Sequence, residues 1–147
     1  MALMQYLCFP YDHVKLRVLG RFQEHDVGKR ILVVDDEPQI RRIMRAVLVA
    51  KRYEVADAEC GEDALKLIRS AKYDLVLLDI NMNMPGMTGI EVCREIRASS
   101  SIPVIVMSTG EENRAKALDA GANDYLKKPF DVSQIFSCVE LNLGNAR

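Results

Sequence analysis

Three acids and two hydroxyls stand at the ends of short apolar runs and a lysine at the end of a mixed one, and their types and placement carry the chemistry this chain can do. Leu75-Val-Leu-Leu runs into Asp79, Ile31-Leu-Val-Val into Asp35 and Asp36, and Val104-Ile-Val-Met into Ser108 and Thr109. Four consecutive large aliphatics bounded by polar residues fit a strand buried on both faces, as inside a parallel sheet. A polar residue ending such a strand emerges at the sheet's carboxyl edge, where open α/β sheets place their ligands. If the three strands are parallel neighbours, three carboxylates and two hydroxyls converge on one spot. Clustered carboxylates repel, and burial makes this worse, so either one keeps its proton or a cation sits among them. All-oxygen donors at an open, watery edge favour a hard ion, Mg2+ before Ca2+. Alternatively, Asp35 and Asp36 merely cap the next helix, but capping leaves Asp79 unexplained.

Lys128, just before Pro129, ends a further strand and can reach across to the cluster, pairing with a carboxylate or a phosphoryl oxygen. Period-two alternation sends Lys127 to the opposite face, as the solvated member of the pair. Ser108 can donate one hydrogen bond to an oxyanion. Metal, lysine and hydroxyl around an aspartate are what phosphoryl transfer onto that aspartate needs, with the carboxylate as in-line nucleophile.

The elements that must position these groups follow in order. Asp36-Glu37-Pro38 supplies an N-cap candidate, an acid in the first turn and a proline near N1. Ile40, Ile43, Met44, Val47 and Leu48 then trace one helical face. Tyr53-Glu-Val-Ala is a mixed strand, and Gly61 to Ala71 a helix with Ala64, Leu65 and Ile68 inward. After the central strand a loop runs from Asn81 to Gly89, and Ile90, Cys93 and Ile96 mark a third helix. Glu111 to Ala120 reads as a fourth, ended by Gly121. Asp124-Tyr-Leu-Lys is a second mixed strand, and Val132, Ile135, Phe136, Val139 and Leu143 trace a last amphipathic helix. Five β-α units imply an α/β fold, a parallel sheet with helices on both faces. The all-apolar strands belong inside and the mixed ones at the edges, which predicts the doubly wound, flavodoxin-like order 2-1-3-4-5.

Length and composition bound the rest. At 147 residues the chain suits one domain. A formal net charge of −1 gives no basic excess for nucleic acid, so none is expected to bind this domain. Apolar runs of four or five residues are too short to cross a membrane. Met1 to Pro10 lacks a basic start and a cleavage site, so no secretory signal is expected. Cys8, Cys60, Cys93 and Cys138 show no metal spacing, which favours reduced thiols in the cytoplasm. Residues 1–28, with both histidines (His13 and His25), do not match the pattern and read as an N-terminal extension to a domain at 29–147.

Val34-Asp-Asp-Glu-Pro38, Leu77-Leu-Asp79, Met84-Pro-Gly-Met-Thr-Gly89, Pro103-Val-Ile-Val-Met-Ser108 and Ala120-Gly-Ala-Asn-Asp-Tyr-Leu-Lys-Lys-Pro-Phe130 together resemble a response-regulator receiver domain. The resemblance spans Lys29 to Leu143. It implies that Asp79 accepts a phosphoryl group from a histidine kinase or phosphotransfer protein. It further implies Mg2+ held by Asp36, Asp79 and the Asn81 backbone carbonyl, with Asp35 acting through water. Lys128 would bind the phosphoryl group, Ser108 would close on it, and Tyr125 would be the aromatic switch that turns inward. A cis peptide before Pro129 is implied as well. The expected role is a phosphorylation-controlled signalling switch that changes the surface of its fourth helix, fifth strand and fifth helix for an output partner, assisting its own phosphoryl chemistry without turning over a substrate.

Three departures qualify the likeness. Asp79 to Pro85 takes six steps where the family takes four, as though Asn-Met had been duplicated. Loop closure entropy rises slowly with length, so Asn83-Met84 is expected to bulge outward and leave the Asn81 carbonyl in place. Thr109 stands where a smaller residue is usual, which narrows access to Asp79. Gln134 and Cys138 replace charged residues through which similar receivers dimerise, so that association is expected to be weak. The rival readings are a degenerate receiver acting as a phosphate-independent interaction module, and the receiver portion of a longer DNA-binding regulator. A phosphoaspartyl hydrolase is a third, but its Asp-x-Asp-x-Thr signature needs an acid at position 81, where Asn81 stands.

Overall fold

A computed structural model of the chain describes residues 27–82 and 86–145. Strands and helices alternate: β1 (Arg30–Val34), α1 (Pro38–Ala50), β2 (Glu54–Ala58), α2 (Gly61–Ser70), β3 (Leu75–Asp79), α3 (Gly89–Ser99), β4 (Val104–Ser108), α4 (Asn113–Asp119), β5 (Asp124–Lys127) and α5 (Val132–Asn145). All neighbouring strands are parallel, in the order β2-β1-β3-β4-β5. This is the expected doubly wound sheet, with the mixed strands at its edges.

Alternation along the strands divides the core in two. Leu32, Val34, Val76 and Leu78 point to one face, where α2 and α3 cover them with Ala64, Leu65, Val92, Cys93 and Ile96. Ile31, Val33, Leu75 and Leu77 point to the other, against Met44, Val47 and Leu48 of α1 and Ile135, Phe136 and Val139 of α5. Every residue of β3 and β4 is buried. Both strands therefore lack a solvated face, and Asp79 and Ser108 are carried to the edge on rigid supports. Among the described residues the cysteines Cys60, Cys93 and Cys138 are free.

Several local expectations need correction. The N-cap of α1 is Glu37 rather than Asp36, and it makes no side-chain cap bond. The first helical turn holds no acid. Instead Asp35 Oδ1 accepts the Glu37 N–H at 2.9 Å, so the preceding strand end satisfies that orphan donor. Ile43 and Val132, expected inward, are 49% and 40% exposed, because each sits at the margin of its helix's apolar stripe. The fourth helix begins at Asn113, not Glu111; a turn precedes it. Gly121 ends it as expected, at φ +103, with its N–H on Leu118 and the Ala122 N–H on Ala117. The segment 1–26, the inserted Asn83-Met84 and Pro85 lie outside the described residues.

The register between β3 and α3 is set by close backbone contact. Thr88 and Glu91 form a reciprocal capping box at the start of α3. One residue on, a Cβ on Gly89 would meet Ile80 Cα at 2.5 Å and the Asp79 carbonyl oxygen at 2.7 Å. Both atoms are backbone and cannot rotate away. Gly89→Ala is therefore expected to cost about 1–3 kcal/mol, the range for forcing a methyl into packed structure. Urea denaturation measures it as a lowered midpoint with an unchanged slope.

Candidate functional site

Parallel pairing brings the functional strand ends together. The ladder between β1 and β3 closes with Val34 beside Leu78, so Asp35 and Asp36 emerge next to Asp79. Asp79 pairs with Met107, which places Ser108 one step further out. The Lys128 N–H donates to the Ser108 carbonyl at 2.7 Å, extending the ladder beyond β5 to the lysine. The Lys128–Pro129 peptide is cis, as expected.

Asp35, Asp36 and Asp79 can each present a carboxylate oxygen such that all three lie within 4.8 Å of one another. Asp35 and Asp79 are buried and Asp36 is half-buried. Lys128 Nζ lies 3.3 Å from Asp35 Oδ2 and 3.5 Å from Asp79 Oδ1, bridging the two buried acids. Lys127 is exposed, as alternation requires. Burial pushes the Asp79 carboxyl above its ordinary value. The Asn81 N–H and Lys128 oppose that rise, while the charges of Asp35 and Asp36 add to it. Burial also works against the Lys128 charge, but the facing Asp79 and Asp35 outweigh it and hold that lysine above its usual value. One lysine thus does not neutralise the cluster. Three close carboxylates with one open, half-buried member form an oxygen donor set that fits a divalent cation such as Mg2+.

The loops complete the site. The Asn81 N–H donates to Asp79 Oδ1 at 3.0 Å, a tight turn that fixes how the chain leaves β3. Across the insertion Met87 is anchored too, its N–H donating to Glu62. Met82 and Met87 both pack on the core. The Asn81 side chain donates from Nδ2 to Ser108 Oγ at 3.1 Å and to Thr109 Oγ1 at 3.3 Å, tying both hydroxyls to the β3 loop. Tyr125, expected as an ordinary or switching strand tyrosine, is buried. Its hydroxyl donates to the Gly110 carbonyl, and the Arg114 guanidinium lies 4.8 Å from the centre of its ring.

Sequence reasoning therefore located Asp35, Asp36, Asp79, Ser108 and Lys128 where the structure brings them together. It missed the Asn81 side chain and Asn113, whose Nδ2 donates to Ser108 Oγ at 2.9 Å. Nothing in composition or periodicity marks Asn113, and reading the fourth helix from Glu111 hid its place at the first turn.

A family model described as the response regulator receiver domain matches residues 31–140. The chain belongs to the response regulator receiver family. The receiver is 44% identical over 119 residues to the transcriptional regulatory protein ResD of Bacillus subtilis, covering 80% of this chain and 49% of ResD. It is 38% identical to the DNA-binding response regulator MtrA of Mycolicibacterium smegmatis, covering 78% of this chain and 50% of MtrA. The chain thus spans about half the length of these curated relatives. Among solved structures it resembles the Thermotoga maritima response regulator TrrA in complex with Mg2+-BeF, at 40% identity and a TM-score of 0.71 over 77% of this chain and 97% of that one. Among the described residues of the receiver, no helix is long and apolar enough to cross a membrane.

A cation that binds only the folded acid cluster must stabilise the fold, by about 1.4 kcal/mol at ten times its dissociation constant. Millimolar Mg2+ is therefore expected to raise the melting temperature by a few degrees. Asp36→Ala should abolish the rise and Asp35→Ala should weaken it; scanning fluorimetry with and without EDTA provides the measurement.

Proposed function

We propose that Asp79 is the phosphoacceptor of a signalling switch charged by a histidine kinase or phosphotransfer protein. The observation that carries this reading is the Lys128 ammonium, 3.5 Å from Asp79 within a carboxylate cluster at the sheet edge. In the transfer, a carboxylate oxygen of Asp79 attacks phosphorus in line. The bond to the donor's imidazole nitrogen breaks, and the imidazole leaves with the electron pair. Lys128 then exchanges part of its pairing with Asp79 for a phosphoryl oxygen, and the Ser108 hydroxyl donates a hydrogen bond to another. Asp36, Asp79 and the Asn81 carbonyl would hold Mg2+, with Asp35 acting through water. Bound there, the ion supplies the positive charge that developing phosphoryl oxygens require. In this reading the chain assists its own phosphorylation and dephosphorylation and turns over no separate substrate.

Output would leave through the surface of α4, β5 and α5, where Leu118 and Lys127 are exposed. Tyr125 lies beneath it and would respond to movement of Ser108. We assign the receiver to residues 29–147 and residues 1–28 to an extension, and place the protein in the cytoplasm, in keeping with the free cysteines among the described residues. A second reading has specific support: ResD and MtrA are named as a transcriptional and a DNA-binding regulator, and the match covers half of each. The chain then corresponds to the receiver portion of such a regulator.

Intact-mass analysis after incubation with acetyl phosphate and Mg2+ tests the phosphoacceptor. One phosphoryl adduct is expected, lost in Asp79→Asn and in EDTA. No adduct on the parent chain would favour the degenerate, phosphate-independent module instead.

The same surface bears on association. Gln134 and Asp131 close a reciprocal capping pair at the start of α5, at 2.8 and 2.9 Å. Cys138 Sγ donates to Asp124 Oδ2 at 3.3 Å, and Asn142 Nδ2 donates to the same oxygen at 2.9 Å. Both positions are committed within the chain and offer no charge to a second copy. Light scattering with Mg2+ and beryllofluoride is therefore expected to give a monomer mass at tens of micromolar protein. A beryllofluoride-dependent dimer abolished by changes on α4 and α5 would contradict this.

A further inference from the structure

We propose that Asn113 is a positioning residue for phosphoryl transfer, acting through Ser108; the inference rests on Asp79 being the phosphoacceptor. Ser108 is fully buried, and a serine hydroxyl offers two acceptor lone pairs and one donor proton. Two side-chain amides donate to its oxygen: Asn81 Nδ2 at 3.1 Å and Asn113 Nδ2 at 2.9 Å. The Gly110 N–H approaches the same atom at 3.5 Å. With its acceptor capacity taken up by N–H groups, the hydroxyl can act toward a further partner only as a donor. A phosphoryl group on Asp79 presents only acceptor oxygens. The two asparagines thus orient the proton of Ser108 for that group before it arrives, so that no reorientation is required during transfer.

Asn113 adds a mechanical connection. It is the first residue of α4, five positions after Ser108, and the next residue, Arg114, lies over the Tyr125 ring. The opening turn of α4 therefore touches both Ser108 and Tyr125. Any shift of the Ser108 hydroxyl toward Asp79 either draws this turn along or breaks the Asn113 bond. In both cases the start of α4 reports the state of Asp79.

Asn113→Asp and Asn113→Ala separate this role from a structural one. Aspartate keeps the size of asparagine and suits a helix N-terminus, so it should not lower the melting temperature. Its carboxylate cannot donate, however, and would accept the Ser108 proton and turn it away from Asp79. The rate of Asp79 phosphorylation by acetyl phosphate with Mg2+, followed by intact mass, is expected to fall about threefold in Asn113→Ala and about tenfold in Asn113→Asp. In a Ser108→Ala background neither change should slow the reaction further, since the group they act through is gone. An Asn113→Asp chain as fast as the parent would show that Asn113 accepts from Ser108 rather than donates, and would overturn the proposal. So would equal slowing with and without Ser108. If the parent chain itself takes no phosphoryl group, the phosphoacceptor reading fails and this inference falls with it; a normal parent with unaffected variants removes the inference alone.

Discussion

Repulsion among three carboxylates is the constraint that the rest of the molecule accommodates. Parallel pairing of β1 with β3 forces Asp35, Asp36 and Asp79 together at the carboxyl edge, within 4.8 Å. No rotation of the fully buried strand β3 can relieve that crowding. Counter-charge has to come from elsewhere, and the chain brings Lys128 in from two strands away to bridge Asp35 and Asp79. Three carboxylates still outnumber one lysine, and burial together with the neighbouring acids keeps the Asp79 carboxyl above its ordinary value. The facing acids in turn hold the lysine above its usual value against the effect of burial.

How much of this could be read from residue order varies with the kind of contact. β3 and β4 were legible to the residue, because strands buried on both faces leave unbroken aliphatic runs and end where polarity resumes. Asp79 and Ser108 were legible as the terminal residues of such runs, and Lys128 as the residue that follows the mixed strand before Pro129. Their convergence followed from strand order alone. The contacts of Asn81 and Asn113 with Ser108 were not legible, since they join a loop and a helix start to a strand end along paths that depend on packing rather than on periodicity. Ile43 and Val132 misled for a related reason: helical spacing shows that a residue borders the apolar stripe but not where the covering element stops. Both capping pairs, Thr88 with Glu91 and Asp131 with Gln134, do follow a local pattern of three-residue spacing that pattern reading could have found.

The uncharged residues of α5 make their polar bonds within the chain. Gln134 closes the helix start, and Cys138 packs inward against β5. Burial, reinforced by Asp124, pushes the Cys138 thiol up to about 12, so it stays protonated and behaves as a small donor rather than a nucleophile. Asn142 completes the link to Asp124. Cys138 and Asn142 thus tie α5 to the edge strand β5 through a single carboxylate.

The shortness of α4 has a consequence for how its opening turn is held. A seven-residue helix cannot hold itself in water, and this one has no side-chain N-cap bond. Its first turn rests on Asn113 against Ser108 and Arg114 against Tyr125. Contacts of this kind are each worth about 1 kcal/mol net. The opening turn of α4 is therefore coupled to the end of β4 and to β5 at once, and a change at either Ser108 or Tyr125 is felt in the same residues.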